Sequence, residues 1–204
     1  MKFSIVTSLL AFSWQSATVL AAPLDSGAGI NALDARAPTI PNADEVRAII
    51  DDSDQASSFA KIGEPQIDKA IFFTGQARQQ INQIVTWANS VGLTSVRNIW
   101  NSANFYQRGQ YKDIDDATFK DFQKAFSKYY ADQTKGTAWL VFPQDQTPAQ
   151  TGIFWSVELD EIISEAKVDK IVWIDQNRIT DSTYDWANEQ KLYWQKGDDK
   201  PAGA

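Results

Sequence analysis

Apolar residues along the chain fall into short blocks whose spacing switches between strand and helix periods. Ala70-Ile71-Phe72-Phe73 is a continuous apolar run of strand type, ended by Thr74-Gly75. Directly after it, Ala77, Ile81, Ile84, Ala88 and Val91 recur at helical spacing, and Gly92 suits the C-terminal end of that helix. Asp115 or Asp116 is placed to cap a long helix with Phe119, Phe122, Phe126 and Tyr129 on one face, stopped by Gly136. Thr137–Phe142 reads as a second strand, Ile153–Val157 as a third, short one, and Val168–Ile174 as a fourth. Shorter helices are expected at Ala43–Asp51, Thr94–Trp100 and Glu158–Ala166, and a final one at Ser182–Trp194. Residues 52–67, 101–114 and 143–152 are polar and weakly patterned. Most tryptophans read as core, and Trp139 and Trp173, inside predicted strands, should be buried.

This order predicts an α/β fold: a mostly parallel four-stranded sheet flanked by helices, with a helical or irregular N-terminal segment. Residues 43–196 form one expected domain, and 197–204 read as a disordered tail. In such sheets ligands bind beyond the carboxyl ends of the strands. The residues to examine are therefore those just past each strand.

The N-terminus has a different pattern. Lys2 precedes an apolar run from Phe3 to Phe12, and Val19-Leu20-Ala21 matches a signal-peptidase site. Residues 1–21 are expected to be a cleaved signal peptide, which implies secretion. Residues 22–42, rich in Ala, Gly, Asp and Pro, read as a flexible leader or pro-segment with a candidate trimming point near Arg36. No later segment is apolar enough to span a bilayer.

Composition narrows the chemistry. The 204 residues include no His and no Cys. That excludes Ser-His-Asp and Cys-His nucleophile systems, disulfides and Cys/His zinc sites, and no metal is expected. A net charge of −7 argues against general nucleic-acid binding, which needs clustered Lys and Arg. Catalysis must then rest on carboxylates, hydroxyls, Lys or the backbone.

Two strand ends carry candidate chemistry. At Phe73-Thr74-Gly75-Gln76 a strand turns into a helix, so free N–H groups and the helix dipole can hold a phosphate. The same turn also reads, and on these residues alone reads better, as a plain helix cap. In Ile153-Phe154-Trp155-Ser156-Val157-Glu158, strand alternation places Phe154, Ser156 and Glu158 on one side. A carboxylate beside aromatic rings there can bind ribose hydroxyls and stabilise an oxocarbenium ion. The competing reading is a solvent-facing Glu at a helix N-terminus.

These segments, in this order, resemble the ADP-ribosyl cyclase / NAD glycohydrolase family over roughly residues 69–175. Lys69–Gln76 (KAIFFTGQ) resembles the family's first strand, which ends in Trp-Ser-Arg. Thr118–Phe142 resembles its long helix and next strand, and Lys167–Ile174 a later strand. Ile153–Leu159 (IFWSVEL) is similar to the family segment Thr-Phe-x-Ser-Val-Glu-Val/Leu and is the most specific match. The resemblance implies that Glu158 is the catalytic glutamate, Phe154 the aromatic whose backbone helps bind phosphates, Thr74 the phosphate-binding hydroxyl and Ser127 the helix hydroxyl near the reacting sugar. Phe73 takes the place of the first active-site Trp. Gly75 stands where the family has Arg, and Gln123 where it has its second Trp, with Trp155 or Trp100 as nearby rings. The family's disulfides are absent, and its acidic pair has no counterpart around Thr94–Arg97.

The expectation is a secreted enzyme that cleaves the nicotinamide–ribose bond of NAD, by hydrolysis more than cyclisation. NAD is substrate, and no cofactor is expected. The second hypothesis is a non-catalytic secreted effector on the same fold. The third is a glycosidase pairing Glu158 with Asp160 or Glu161.

Overall fold

The structure, a computed structural model, describes residues 39–60, 64–98, 100 and 105–204. The expected signal peptide, and the leader up to residue 38, lie outside the described residues. The chain runs α1 (Ala43–Asp51), β1 (Ala70–Phe72), α2 (Arg78–Ser90), β2 (Thr94–Ser95), α3 (Asp116–Asp132), β3 (Gly136–Phe142), α4 (Leu159–Glu165), β4 (Val168–Asp175) and β5 (Lys191–Gln195). The strands form one sheet in the order β2-β1-β3-β4-β5. The first four are parallel, and β5 pairs antiparallel with β4.

Parallel neighbours need crossovers, and α2, α3 and α4 supply them. Alternation along the strands serves both faces of the sheet. Phe72 and Leu140 join a core with α1, α3 and α4 on one side, while Ile71 and Val141 meet α2 residues Ile84 and Ala88 on the other. The α3 stripe is buried as its spacing predicts, with Phe119, Phe122, Phe126 and Tyr129 all in the first core. At the C-terminal end of α2, Gly92 has φ +73°, and Leu93 N–H donates to Ala88 O at 2.8 Å.

Asn42 starts α1. Its side chain accepts from the N–H groups of Asp44 and Glu45 at 3.0 Å, and Glu45 accepts the Asn42 N–H at 2.8 Å. This reciprocal cap fixes the helix that carries Val46 and Ile49 into the core. Asn42→Ala should cost about 1 kcal/mol in urea unfolding. An unchanged midpoint would contradict the cap.

The sequence reading needs correction at several elements. The sheet has five strands, and its membership differs from the expected four. Ile153–Val157 is not a strand: Phe154–Glu158 is a π-helical turn that runs straight into α4. The helix expected at Thr94–Trp100 is instead the short strand β2, followed by a turn in which the Asn98 side chain accepts from Ser95 N and Oγ at 3.0 and 2.7 Å. The helix expected at Ser182–Trp194 is a series of turns leading into β5. Asp181 accepts from Thr183 N and Oγ1 there, a side-chain turn that competes with helix. Trp173 is buried, but Trp139 is only half-buried and rests edge-on against Trp186. Residues 197–204 run without helix or strand against the loop before the π-turn: Ala204 N–H donates to Pro148 O, and Gln150 N–H donates to Ala204 O, each at 3.0 Å.

Candidate active site

The π-turn decides which side chains point inward. Leu159 N–H donates to Phe154 O, one residue further back than in an α-helix. Phe154 and Glu158, one turn apart, both become buried, while Ser156 between them is exposed and bonds back to Gly152 O at 2.9 Å. Gly152 is required just before the turn, because a Cβ there would lie 2.6 Å from Thr74 Oγ1.

Glu158 opens into a cavity of about 200 Å³. Apolar walls come from Phe73, Ile81, Val96, Phe105, Phe126 and Ile153; polar groups come from Arg97, Tyr106, Gln123, Ser127 and Glu158 itself. Each wall has an evident anchor. Phe73 follows β1, Ile81 is on α2, and Val96 and Arg97 follow β2. Gln123, Phe126 and Ser127 lie on the inward face of α3 at i, i+3 and i+4. The irregular segment with Phe105 and Tyr106 is held by the Tyr111 hydroxyl, which donates to Phe105 O. Arg108 braces the same segment by donating to the carbonyls of Tyr111 and Ile114 and to Asp116.

Burial pushes the Glu158 carboxyl up to about 8, against an ordinary glutamate value of 4.5; the Ser127 hydroxyl pulls the other way by favouring the charged form. Among the described residues no lysine or arginine forms an ion pair with it. Tyr130 lies fully buried nearby, its hydroxyl donating to Thr94 O, and burial holds its phenol well above the usual range. The site thus sets a buried carboxyl, whose acid form is favoured by burial, beside a wall of aromatic rings, the kind of perturbed group in a cleft that functional sites use.

The structure therefore brings Phe73, Gln123, Ser127 and Glu158 to one cavity. It places the other sequence candidates elsewhere. Thr74 and Gly75 line a separate cavity of about 490 Å³ with Gln76, Phe142 and Gly152. The two cavities share no lining residue, but consecutive residues line them at Phe73/Thr74 and Gly152/Ile153. Gly75 has φ +64° with open space around a would-be Cβ, so the turn conformation is what calls for glycine there. The Phe154 ring packs in the core between Phe72 and Tyr193. Trp155 does not face the cavity; its indole donates to Pro201 O at 3.0 Å and lies under Lys200 Nζ, 3.4 Å from the ring centroid. Trp100 is stacked between Phe59 and Phe105 in the core. The second aromatic wall is instead made by Phe105, Tyr106 and Phe126, which sequence reasoning did not assign to the site.

Neither partner for a paired-carboxylate glycosidase reaches Glu158. Asp160 pairs with Lys200 at 2.6 Å, and Glu161 lines a different cavity beside Lys128. Glu161, with Asp132 and Glu165, forms a carboxylate cluster within 4.8 Å, but Lys128 and Lys167 already pair with these groups. Among the described residues no helix is long and apolar enough to cross a membrane.

No protein-family model matches the chain, and no curated protein does. Solved structures do show likenesses. The Aplysia cyclase in complex with substrate NGD and product cGDPR is 12% identical, with 66% of this chain and 74% of that one covered, at a TM-score of 0.41. An ADP-ribosyl cyclase in complex with N1-cIDPR is 10% identical over 65% of this chain and 76% of that one, at 0.39. Porcine CD38 with a covalent intermediate, ribo-F-ribose-5'-phosphate, is 13% identical over 63% of this chain and 68% of that one, at 0.40.

Proposed function

We propose that the protein is a secreted NAD glycohydrolase that cleaves the nicotinamide–ribose bond in the Glu158 cavity. The observation that carries this reading is Glu158 itself. It is a buried carboxyl, facing a cavity walled by aromatic rings and flanked by the Ser127 hydroxyl. The segment that resembles a glycohydrolase motif supplies it.

The chemistry suits a site without histidine. The nicotinamide ring nitrogen is cationic until the bond breaks, so the leaving group needs no proton. The remaining task is to steady positive charge building on the ribose, and an anion in a water-poor cavity does this far better than one in bulk water. In its ionised form Glu158 accepts hydrogen bonds from the ribose hydroxyls and faces the developing oxocarbenium ion. Ser127 orients the carboxylate or the sugar, and Phe73 with Phe105 and Tyr106 packs the ring and excludes water. Gln123, where the resembling family has an aromatic ring, leaves room for a single water where bulk water is otherwise excluded; its oxygen bonds the cationic ribose carbon and its proton passes to the Glu158 carboxylate, which favours ADP-ribose over a cyclic product.

The raised Glu158 carboxyl gives a pH dependence with a definite sign. The anion is the active form, so kcat/KM for NAD should rise about tenfold per pH unit below about 8 and level off above it. A flat profile from pH 6 to 9, or a falling one, would contradict the assignment. The reaction itself is tested by incubating the protein with NAD at pH 8.5 and separating the products. Nicotinamide is expected in an amount equal to ADP-ribose and cyclic ADP-ribose together, with cyclic ADP-ribose a minor species. A folded protein that leaves NAD intact supports the non-catalytic effector instead.

A further inference from the structure

We propose that Arg78 and Arg97 form an anion subsite beside the Glu158 cavity that binds the diphosphate of a dinucleotide. The assignment of the anion as a dinucleotide diphosphate rests on the function proposed above. The subsite rests on its own geometry.

A second cavity, of about 360 Å³, is lined by Arg78, Arg97, Tyr106, Gln107, Arg108 and Gly109. Arg97 and Tyr106 line both this cavity and that of Glu158, so the two adjoin. Three arginines line it, in a chain whose net charge is −7.

Pairing separates the arginines. Arg47, Arg108 and Arg178 each have a carboxylate within 3.0 Å. Among the described residues neither Arg78 nor Arg97 has one within 4.0 Å, although acidic side chains outnumber basic ones. Arg97 is nevertheless fixed in place. It donates to Tyr106 Oη at 3.1 Å and Asn82 Oδ1 at 3.3 Å, and its guanidinium lies 3.9 Å from the centroid of the Tyr106 ring. Those partners are neutral, so they orient the fork without cancelling its charge. Burial holds Arg97 below the usual arginine range; Tyr106 opposes the shift, and the like charge of Arg78 adds a smaller push in the same direction as burial. Two cations that line one cavity, neither paired with a carboxylate, are stabilised by an anion bound between them.

Arg78 adds a directional element. It occupies the first turn of α2, which carries no acidic residue, whereas the first turns of α1, α3 and α4 all do. The positive end of the α2 dipole therefore reinforces the guanidinium. The Thr74–Gly75 cavity, by contrast, is lined only by uncharged residues, so it offers a phosphate much less. Gly75 stands where the resembling family has arginine, and Arg78 and Arg97 bring that charge from elsewhere in the fold.

The test uses two probes, ADP and NAD. Calorimetric titration of the wild-type protein with ADP at low salt should show binding that weakens with added salt. Arg78→Ala should weaken it about tenfold, and Arg78→Lys should recover part of the loss because it restores charge without the bidentate fork. In NAD turnover, Arg78→Ala should raise KM about tenfold with kcat changed less than about twofold, the signature of lost binding rather than lost chemistry. The preference for NAD over nicotinamide riboside, which lacks phosphate, should fall by the same factor. ADP binding that depends on Arg78 without any cleavage of NAD supports the subsite and overturns the proposed reaction. Cleavage of NAD with a KM indifferent to Arg78, or ADP affinity equal in wild type and Arg78→Ala, overturns the subsite and leaves the reaction standing.

Discussion

Glu158→Gln is expected to lower nicotinamide release from NAD by at least about a thousandfold while NAD still binds and the protein still folds. Glutamine has nearly the same shape and can still meet the ribose hydroxyls. What it removes is the negative charge that opposes the developing ribosyl cation. The same substitution should raise stability. Glu158 is buried, and that burial pushes its carboxyl up to about 8 from an ordinary 4.5. Between those values the folded state holds a proton that the unfolded chain has released. The contribution is therefore complete below about pH 4.5 and is lost progressively as pH rises through 8. Glutamine cannot ionise and escapes this loss. Its advantage should grow with pH and reach roughly 2–4 kcal/mol above pH 8. Thermal unfolding of both proteins at pH 5 and 8.5 checks this. Equal stability of the two at pH 8.5 would show that Glu158 is not desolvated as described. A variant that gains stability and loses turnover fits a residue kept for chemistry against the preference of the fold.

The second large effect is expected in the core that carries the site. Phe122→Ala should destabilise the protein by about 3–5 kcal/mol in urea unfolding. Phe122 has no exposed surface, and its ring meets those of Trp100, Tyr111, Phe119 and Phe126 at centroid distances of 6.0, 5.4, 6.3 and 5.3 Å. Five aromatic rings that brace one another leave little room for collapse around a lost one. Gln123 and Phe126 line the Glu158 cavity from the same helix, so NAD affinity should weaken as well. A loss below about 1 kcal/mol would show that the cluster repacks freely.

The parts of the fold legible in the sequence are those where one periodicity dominates. The phenylalanine stripe of α3 and the apolar runs of β1, β3 and β4 give the three-layer plan. Elements held by tertiary contacts are not legible in the same way. Ile153–Val157 is rich in aromatic and β-branched residues, so it reads as a strand. The chain coils there because Gly152 sits tightly against Thr74 and α4 continues the turn. Phe154 and Glu158 point inward in both readings, since a spacing of four suits either period, but Ser156, which strand alternation places beside them, is exposed. β2 has only two residues, too few to carry a pattern. Missing it hid Arg97, because the rule that ligands gather beyond strand ends points to Val96 and Arg97 only once Thr94–Ser95 is recognised as a strand. Tyr106 lies in an irregular segment whose position depends on Arg108 and Tyr111, contacts no local pattern announces.

The central claim is that the ribose of NAD sits against residue 158, and the most direct measurement is a crystal structure of the Glu158→Gln variant with NAD bound. The expected result has the nicotinamide end between Phe73 and Phe105, a ribose hydroxyl within hydrogen-bond distance of the amide that replaces the carboxyl, and Ser127 alongside. NAD held elsewhere on the surface, with this cavity empty, would contradict it.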